Sequence, residues 1–252
     1  RRSRKRDQKL HFMKLDILAF GAHPDDVELG CAATLAKSVS QGKKVGIIDL
    51  TKGELGTRGT PEIRTKEANL SAKILNVNIR ENLTFRDGFF LNDETHQLEV
   101  IKKIRFFRPD IILCNTPKDR HIDHGKANAL VHAACFLSGL KKIDIKDANN
   151  QNLNPWTPRL ILEYIQWYET VPDLIVDVSG FIDKKLEAIK AYKSQFFDPE
   201  SKELSTPISS EIFLESISYR AANMGRLIFK NAGEGFTCQT PLSITDLGGL
   251  IS

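Results

Sequence analysis

The segment Lys44 to Leu50 carries Val45, Ile47, Ile48 and Leu50, an almost continuous apolar string. A strand of that kind is expected where both of its faces are covered. Leu15 to Phe20 and Ile111 to Cys114 are two more short apolar runs. Between them lie stretches with helical spacing. Leu29, Ala32, Ala33, Leu35, Ala36 and Val39 mark a face within Val27 to Ser40, and Ile63, Ala68, Leu70, Ala72, Ile74 and Leu75 mark another within Pro61 to Leu75. Buried strands alternating with such helices predict an α/β fold, a Rossmann-like doubly wound and mostly parallel sheet. Further strands are expected at Asn78 to Leu83, Arg159 to Tyr164 and Leu174 to Val178. Further helices are expected at Gln97 to Phe107, from Asp123 or His124 to Leu137, at Phe181 to Phe196 and at Glu211 to Met224, followed by an irregular tail.

In a sheet of order 3-2-1-4-5, the loops leaving strands one and four flank the crevice where the strand order reverses. The first loop reads Gly21-Ala22-His23-Pro24-Asp25-Asp26-Val27-Glu28-Leu29-Gly30, and the second contains Arg120-His121-Ile122-Asp123-His124. His23 offers an imidazole nitrogen and Asp26 a carboxylate, a pair suited to a borderline metal such as Zn²⁺. Pro24 biases His23 away from helical geometry. A loop with Asp26 as helix N-cap would account for the first cluster alone. Two His/Asp clusters after two strands form a metal-site pattern, and the topology brings His124 to His23 and Asp26. A third loop, Thr51 to Thr60, holds Gly53, Gly56 and Gly59. That spacing is not a dinucleotide fingerprint, and the loop is expected to face substrate on the same sheet edge.

With 252 residues and 41% apolar composition, one domain over residues 13–252 is the expectation. The formal charge is +4, but residues 1–12 hold six Lys/Arg and one Asp, net +5, so the remainder carries −1. That weakens a nucleic-acid reading, which needs basic residues on the folded body. The basic leader 1–12 has no apolar core of a secretory signal and is expected to be disordered or extraneous to the fold. Cys31, Cys114, Cys135 and Cys238 are scattered and read as reduced. No apolar run approaches the roughly 20 residues of a membrane span. A cytoplasmic protein without membrane partners is expected.

Ala22-His23-Pro24-Asp25-Asp26-Val27-Glu28 together with His121-Ile122-Asp123-His124 resembles the PIG-L/LmbE-like zinc-dependent deacetylases of N-acetylglucosamine derivatives. Gly53 to Gly59, Ala191-Tyr192-Lys193-Ser194-Gln195-Phe196 and Gly233-Glu234-Gly235-Phe236 extend the resemblance over nearly the whole chain after Met13. Within the family it looks most like the bacillithiol-pathway branch, which deacetylates N-acetylglucosaminyl-malate. The family pattern carries Pro where this chain has Ile122.

A catalytic zinc has three protein ligands and a position for water, which His23, Asp26 and His124 satisfy. Asp25 is the candidate general base. His121, as a cation, would protonate the leaving amine or stabilise the oxyanion. Asp123 would hold the His121 tautomer or cap the following helix. Glu28 would support a ligand histidine or simply suit the first helical turn. Glu54 and Arg58 of the glycine-rich loop are candidate substrate contacts. The resemblance adds Arg64 to the pocket, against an ordinary surface pair with Glu67, and also Arg159 and Tyr192, against a strand-end charge and a helix residue with its hydroxyl in water. It implies a homo-oligomer, a hexamer built from trimers, acting on a small amino-sugar substrate. Deacetylation of other N-acetylglucosaminides, amide cleavage of thiol S-conjugates, and a non-catalytic sugar- or nucleotide-binding module are the competing readings.

Overall fold

A computed structural model describes residues 13–250, and the basic leader lies outside the described residues. The elements run β1 Ile17–Gly21, α1 Asp26–Ser40, β2 Val45–Thr51, α2 Pro61–Leu75, β3 Ile79–Phe85, α3 Glu94–Phe107 and β4 Ile111–Asn115. They continue as α4 Ile122–Ser138, β5 Leu160–Tyr164, β6 Leu174–Asp177, α5 Ile182–Lys190, α6 Glu211–Leu227, β7 Gly233–Thr237 and a final 3-10 turn, Leu247–Leu250. The sheet order is β3-β2-β1-β4-β5-β7-β6. The first five strands pair in parallel, as the apolar strings predict, and β7 pairs antiparallel with both β5 and β6.

Alternate residues of the central strands enter opposite layers. Leu18, Phe20, Ile48, Leu50, Ile112 and Cys114 pack against α3 and α4 through Val100, Ile101, Ile104, Leu130 and Val131. Ile17, Ala19, Val45, Ile47 and Leu113 pack against Val27, Ala32, Leu35 and Ala36 of α1. Among the described residues, no helix is long and apolar enough to cross a membrane.

Strand β7 lies where the sequence predicts no strand, just before the irregular tail that begins at Thr237, because Gly233-Glu234-Gly235 has little intrinsic strand preference. Close packing makes it a strand. A Cβ on Gly233 would lie 2.6 Å from Ile175 Cγ2, so the glycine lets β6 and β7 approach. Glu234 then reaches α1. That helix is interrupted at Cys31, whose φ of −147° is non-helical, and the Ala33 and Thr34 amides donate to the Glu234 carboxylate at 3.2 and 2.7 Å. Lys185 of α5 donates to the same carboxylate at 2.6 Å. Just before the kink, a Cβ on Gly30 would stand 2.1 Å from the Tyr164 ring, whose hydroxyl donates to Phe20 O at 2.9 Å. Helix α5 ends at Lys190, short of the expected Phe196, and Tyr192 to Phe196 form turns packed into the core.

Glu163 of β5 joins α4 and β7 beneath the carboxyl edge of the sheet. Its buried carboxylate accepts from Asn128 Nδ2 at 3.0 Å, Thr237 Oγ1 at 2.7 Å and Gln239 Nε2 at 2.8 Å, and contacts His132 Nε2 at 3.0 Å. Burial alone would raise its pKa, but the hydrogen bonds from His132, Asn128, Thr237 and Gln239 outweigh it and bring the value from 4.5 to about 2. A depressed carboxylate stabilises the fold above its unfolded pKa, and that contribution is lost as pH falls through the folded one. Glu163→Gln is therefore expected to cost about 2–3 kcal/mol at pH 7, with the gap to wild type narrowing between pH 4.5 and about 2. Denaturant unfolding at stepped pH measures it, and a gap that stays constant down to pH 2 would refute the assignment.

Candidate active site

Strand β1 ends at Gly21, and the chain turns through His23-Pro24-Asp25-Asp26 into α1. Asp25 is the N-cap residue but makes no side-chain cap bond, and its φ of 117° is a conformation that L residues rarely adopt. Its carboxylate turns instead toward Arg64 of α2, whose Nη2 donates to Asp25 Oδ2 at 2.9 Å and to Pro24 O at 2.5 Å. Nη1 of Arg64 donates to Gly53 O at 3.2 Å, and a Cβ on Gly53 would lie 1.7 Å from that nitrogen. The glycine-rich loop thus leaves room for an arginine. The anion of Arg64 is Asp25, not Glu67. Glu67 is also buried, accepting from the Ser194 amide and hydroxyl at 2.8 and 2.7 Å.

Asp26 is the convergence point. Its Oδ2 accepts from the His23 amide at 2.9 Å and Asn115 Nδ2 at 3.2 Å, and its Oδ1 accepts from Gln166 Nε2 at 2.8 Å. His23 Nδ1 lies 3.4 Å from Oδ2, and His124 Nε2 lies 3.1 Å from Oδ1. The opposite ring nitrogens meet other carboxylates. His23 Nε2 is 3.1 Å from Asp87 Oδ1 and 3.5 Å from Asp123 Oδ2, and His124 Nδ1 is 2.8 Å from Asp119 Oδ2. Each histidine therefore turns one nitrogen inward to Asp26 and has the other held by an acid, the arrangement that orients metal-binding imidazoles.

Electrostatics follows from that geometry. Burial disfavours the cation of His23, yet bonds to Asp123, Asp26 and Asp87 hold its pKa well above the ordinary value. Burial likewise opposes protonation of His124, and Asp26 and Asp119 reverse it, to about 9. Burial pushes Asp26 upward, but His124 and His23 keep it well below the usual carboxylate range. The donor types of His23, Asp26 and His124 suit a borderline metal, but the ligand atoms that lie within 4.8 Å of one another also include those of His23, Asp87 and Asp123. One nitrogen each of His23, His121 and His124 also lie within 4.8 Å of one another.

Asp25 behaves differently. Burial raises its pKa, the Arg64 charge pulls it back, and the balance is about 7. His121 is the N-cap of α4, and its Nδ1 accepts from the Asp123 amide at 3.3 Å. Burial, then the charges of His23 and His124, lower its pKa to about 4. That direction runs against the cation expected from the sequence. The Asp123 carboxylate does not hold His121 either. It accepts from Gly88 N at 2.7 Å and Lys126 Nζ at 3.1 Å and faces His23. Ile122 takes the first helical position, where the family's proline would fit equally well.

A cavity of about 400 Å³ opens over these groups, lined also by Arg58, Arg64, Arg120, Ile122 and Trp167. Four expected site residues stand differently. Tyr192 is fully buried, and its hydroxyl donates to Glu28 Oε1 at 3.0 Å, away from the cavity and from water. Glu28 stands in the first turn of α1, as one of its two readings has it, and its carboxylate pairs with Arg80 and Ser71, not with a ligand histidine. Arg159 is exposed, and its amide bonds Asp110 O at the opposite, amino end of β4 and β5. Glu54 turns from the cavity to accept the Asp87 amide at 2.8 Å.

Asp87, Asp119, Asn115 and Gln166 belong to the site without having been singled out in the sequence, and Arg120, quoted there only as part of the second cluster, lines the cavity. Asp87 sits in Arg86-Asp87-Gly88, which reads as an ordinary turn. Asn115 ends β4 and Gln166 lies just past β5, and their position at carboxyl strand ends was the available signal.

Residues 18–135 match the family described as PIG-L: GlcNAc-PI de-N-acetylase. The diacetylchitobiose deacetylase of Thermococcus kodakarensis is 30% identical over 190 residues, which cover 71% of this chain and 70% of that protein. The uncharacterized deacetylase YaiS of Escherichia coli is 39% identical over 185 residues, covering 71% of this chain and 90% of the relative. The crystal structure of the conserved protein TT1542 from Thermus thermophilus superposes with a TM-score of 0.82 at 32% identity, covering 92% of this chain and 98% of that one. With strand order, site geometry and likeness in agreement, the chain belongs to the PIG-L family of de-N-acetylases.

Proposed function

We propose that this protein is a zinc-dependent hydrolase that removes the acetyl group from the 2-amino group of an N-acetylglucosamine derivative carrying an acidic aglycone, of which N-acetylglucosaminyl-malate is the type. The observation that carries the reading is the division of labour between neighbouring aspartates. Asp26 is held ionised between two oriented histidines, while Asp25 is held apart by Arg64 with a pKa of about 7. A general base works best near the operating pH.

His23, Asp26 and His124 would hold the metal, which when bound polarises the amide carbonyl and acidifies water. Asp25 takes the proton of the attacking water. Because His121 Nδ1 accepts the Asp123 amide, its proton resides on Nε2, which makes it a donor to the developing oxyanion. The C–N bond then breaks, and Asp25 returns its proton to the leaving amine, so the base ends as it began.

Sugar recognition is supported by the likeness to a diacetylchitobiose deacetylase. The acidic aglycone is supported by Arg58 and Arg120 in the cavity wall. Arg120 lies 4.5 Å over the Trp167 ring and has no ion pair among the described residues, so its guanidinium edge is available to a carboxylate.

Free-amine release from N-acetylglucosaminyl-malate and from N-acetylglucosamine, with metal-stripped protein with and without added Zn²⁺, tests this directly. Zinc-dependent release with strong preference for the malate glycoside is expected, and zinc-bound protein inert toward both would refute it. Asp25→Asn is expected to retain zinc and to lose on the order of 10²–10⁴ in kcat, whereas His124→Ala loses the metal. Equal zinc content in the two variants would overturn the division of roles. Asp119→Ala leaves all three ligands in place but frees the His124 ring, so zinc affinity should fall about 10- to 100-fold in a competitive chelator titration. An unchanged affinity would remove Asp119 from the site.

A further inference from the structure

Part of the cavity wall belongs to the segment 198–209, which links the turns after α5 to α6 and contributes Thr206, Pro207 and Ile208. Among the described residues, its side-chain hydrogen bonds to the rest of the chain run to two neighbours in the glycine-rich loop. Arg58 Nη2 donates to Ser201 Oγ at 2.6 Å, and the Gly59 amide donates to Glu203 Oε2 at 2.9 Å. Its other hydrogen bonds are internal, such as Thr206 N to Ser209 Oγ at 2.8 Å. Leu204 is 74% exposed, so little apolar packing holds the centre of the strap.

The pairing of Glu203 with Arg58 is incomplete. Glu203 Oε2 lies 3.6 Å from Arg58 Nε, close enough for an ion pair but too long for a hydrogen bond, and that buried Nε has no hydrogen-bond partner. Thr206 Oγ1, on the same strap, is a second buried polar atom without one. Arg58 is buried, whereas the Glu203 side chain is 43% exposed. A half-solvated carboxylate at this distance is a weak partner. A ligand carboxylate meeting the guanidinium fork with two hydrogen bonds would be a stronger one.

We infer that Glu203 is a specificity-determining residue, a built-in carboxylate that competes with the acidic group of the substrate for Arg58, so that an anionic aglycone displaces it and loosens the wall formed by residues 198–209. This rests on the reading that the cavity takes an acidic aglycone at Arg58. A neutral sugar has nothing with which to displace Glu203, so the strap keeps its place. Discrimination between the two substrate classes then includes a movable element and is not set by the arginines alone.

Glu203→Gln keeps an acceptor for the Gly59 amide and removes the competing charge. The KM for N-acetylglucosaminyl-malate should fall about fivefold, the size of an exposed ion pair, with kcat and the KM for N-acetylglucosamine unchanged. A parallel change for both substrates, or none for either, would overturn the proposal. Limited trypsin cleavage after Lys202 reads the strap without turnover. Taken relative to the same bond in each unfolded protein, which cancels the effect of residue 203 on the protease itself, it should be faster in Glu203→Gln than in wild type, and excess malate should accelerate it in wild type only. Equal cleavage under all these conditions would overturn the latch, even with an active deacetylase. Cleavage that responds as expected, in a protein inert toward both substrates, would sustain the latch while refuting the deacetylase reading.

Discussion

A carboxylate removed from water is tolerated only where other groups replace its hydration. Asp26 is buried at the end of the sheet and meets this condition through partners from four parts of the chain: His23 before it, Asn115 at the end of β4, Gln166 after β5 and His124 on α4. None of the last three is near it in sequence. They come together only if β1, β4 and β5 lie side by side in parallel, with their carboxyl ends on one edge. Strand order and site are thus one requirement. Asn115 also receives the Ala22 amide at 3.0 Å, which ties the turn after β1 to the end of β4 before any ligand enters.

A second layer of buried charge explains why several motif residues do not touch the cavity. Arg80 of β3 donates to both oxygens of Asp49 on β2 at 2.8 Å and also pairs with Glu28 on α1. Tyr192 and Ser71 complete the coordination of Glu28, and the Arg80 guanidinium lies 5.9 Å from the centre of the Tyr192 ring. Burial raises the pKa of Asp49 against the pull of Arg80, so its share of the pairing offsets a real desolvation cost. Lys185 and Glu234 form a comparable pair on the far side of α1. These networks clamp the helix that carries Asp25 and Asp26 from both flanks, and the side chains so used face the interior and not the cavity.

The periodicity of the apolar residues made the parallel half of the sheet legible, because Val45 to Leu50 leaves no solvent-facing side. Combining the clusters followed from topology, which places loops one and four together, and His23 and His124 each lie beside Asp26. What stayed hidden has a common physical character. Asp87 and Asp119 are single acids in short loops, whose surroundings in sequence are those of any turn, and only the folded path shows the imidazole each one faces. Tyr192 misled because the expected helix stops at Lys190, and the turn that follows carries its hydroxyl to the buried Glu28 and not to the cavity. Strand β7 was obscured because its glycines are selected for contact with Ile175 and α6, not for strand preference.

Asp25 carries the cost of this arrangement. A helix N-cap that used its side chain would contribute about 1 kcal/mol, and a non-glycine residue at positive φ costs about 1–3 kcal/mol. Asp25 forgoes the first and incurs the second. Both follow from aiming its carboxylate at Arg64 while Asp26, the next residue, faces the histidines. Ordinary helical geometry at Asp25 would leave the carboxylate capping α1, bonded to backbone amides that favour its anion and lower its basicity. The backbone distortion keeps the group free of amides, burial raises its affinity for a proton, and one arginine, held in turn by Gly53 O and Pro24 O, limits the rise. The strain is therefore the means by which adjacent aspartates of the same intrinsic acidity come to differ, one as a permanent anion and the other as a group able to take up and return a proton near neutral pH.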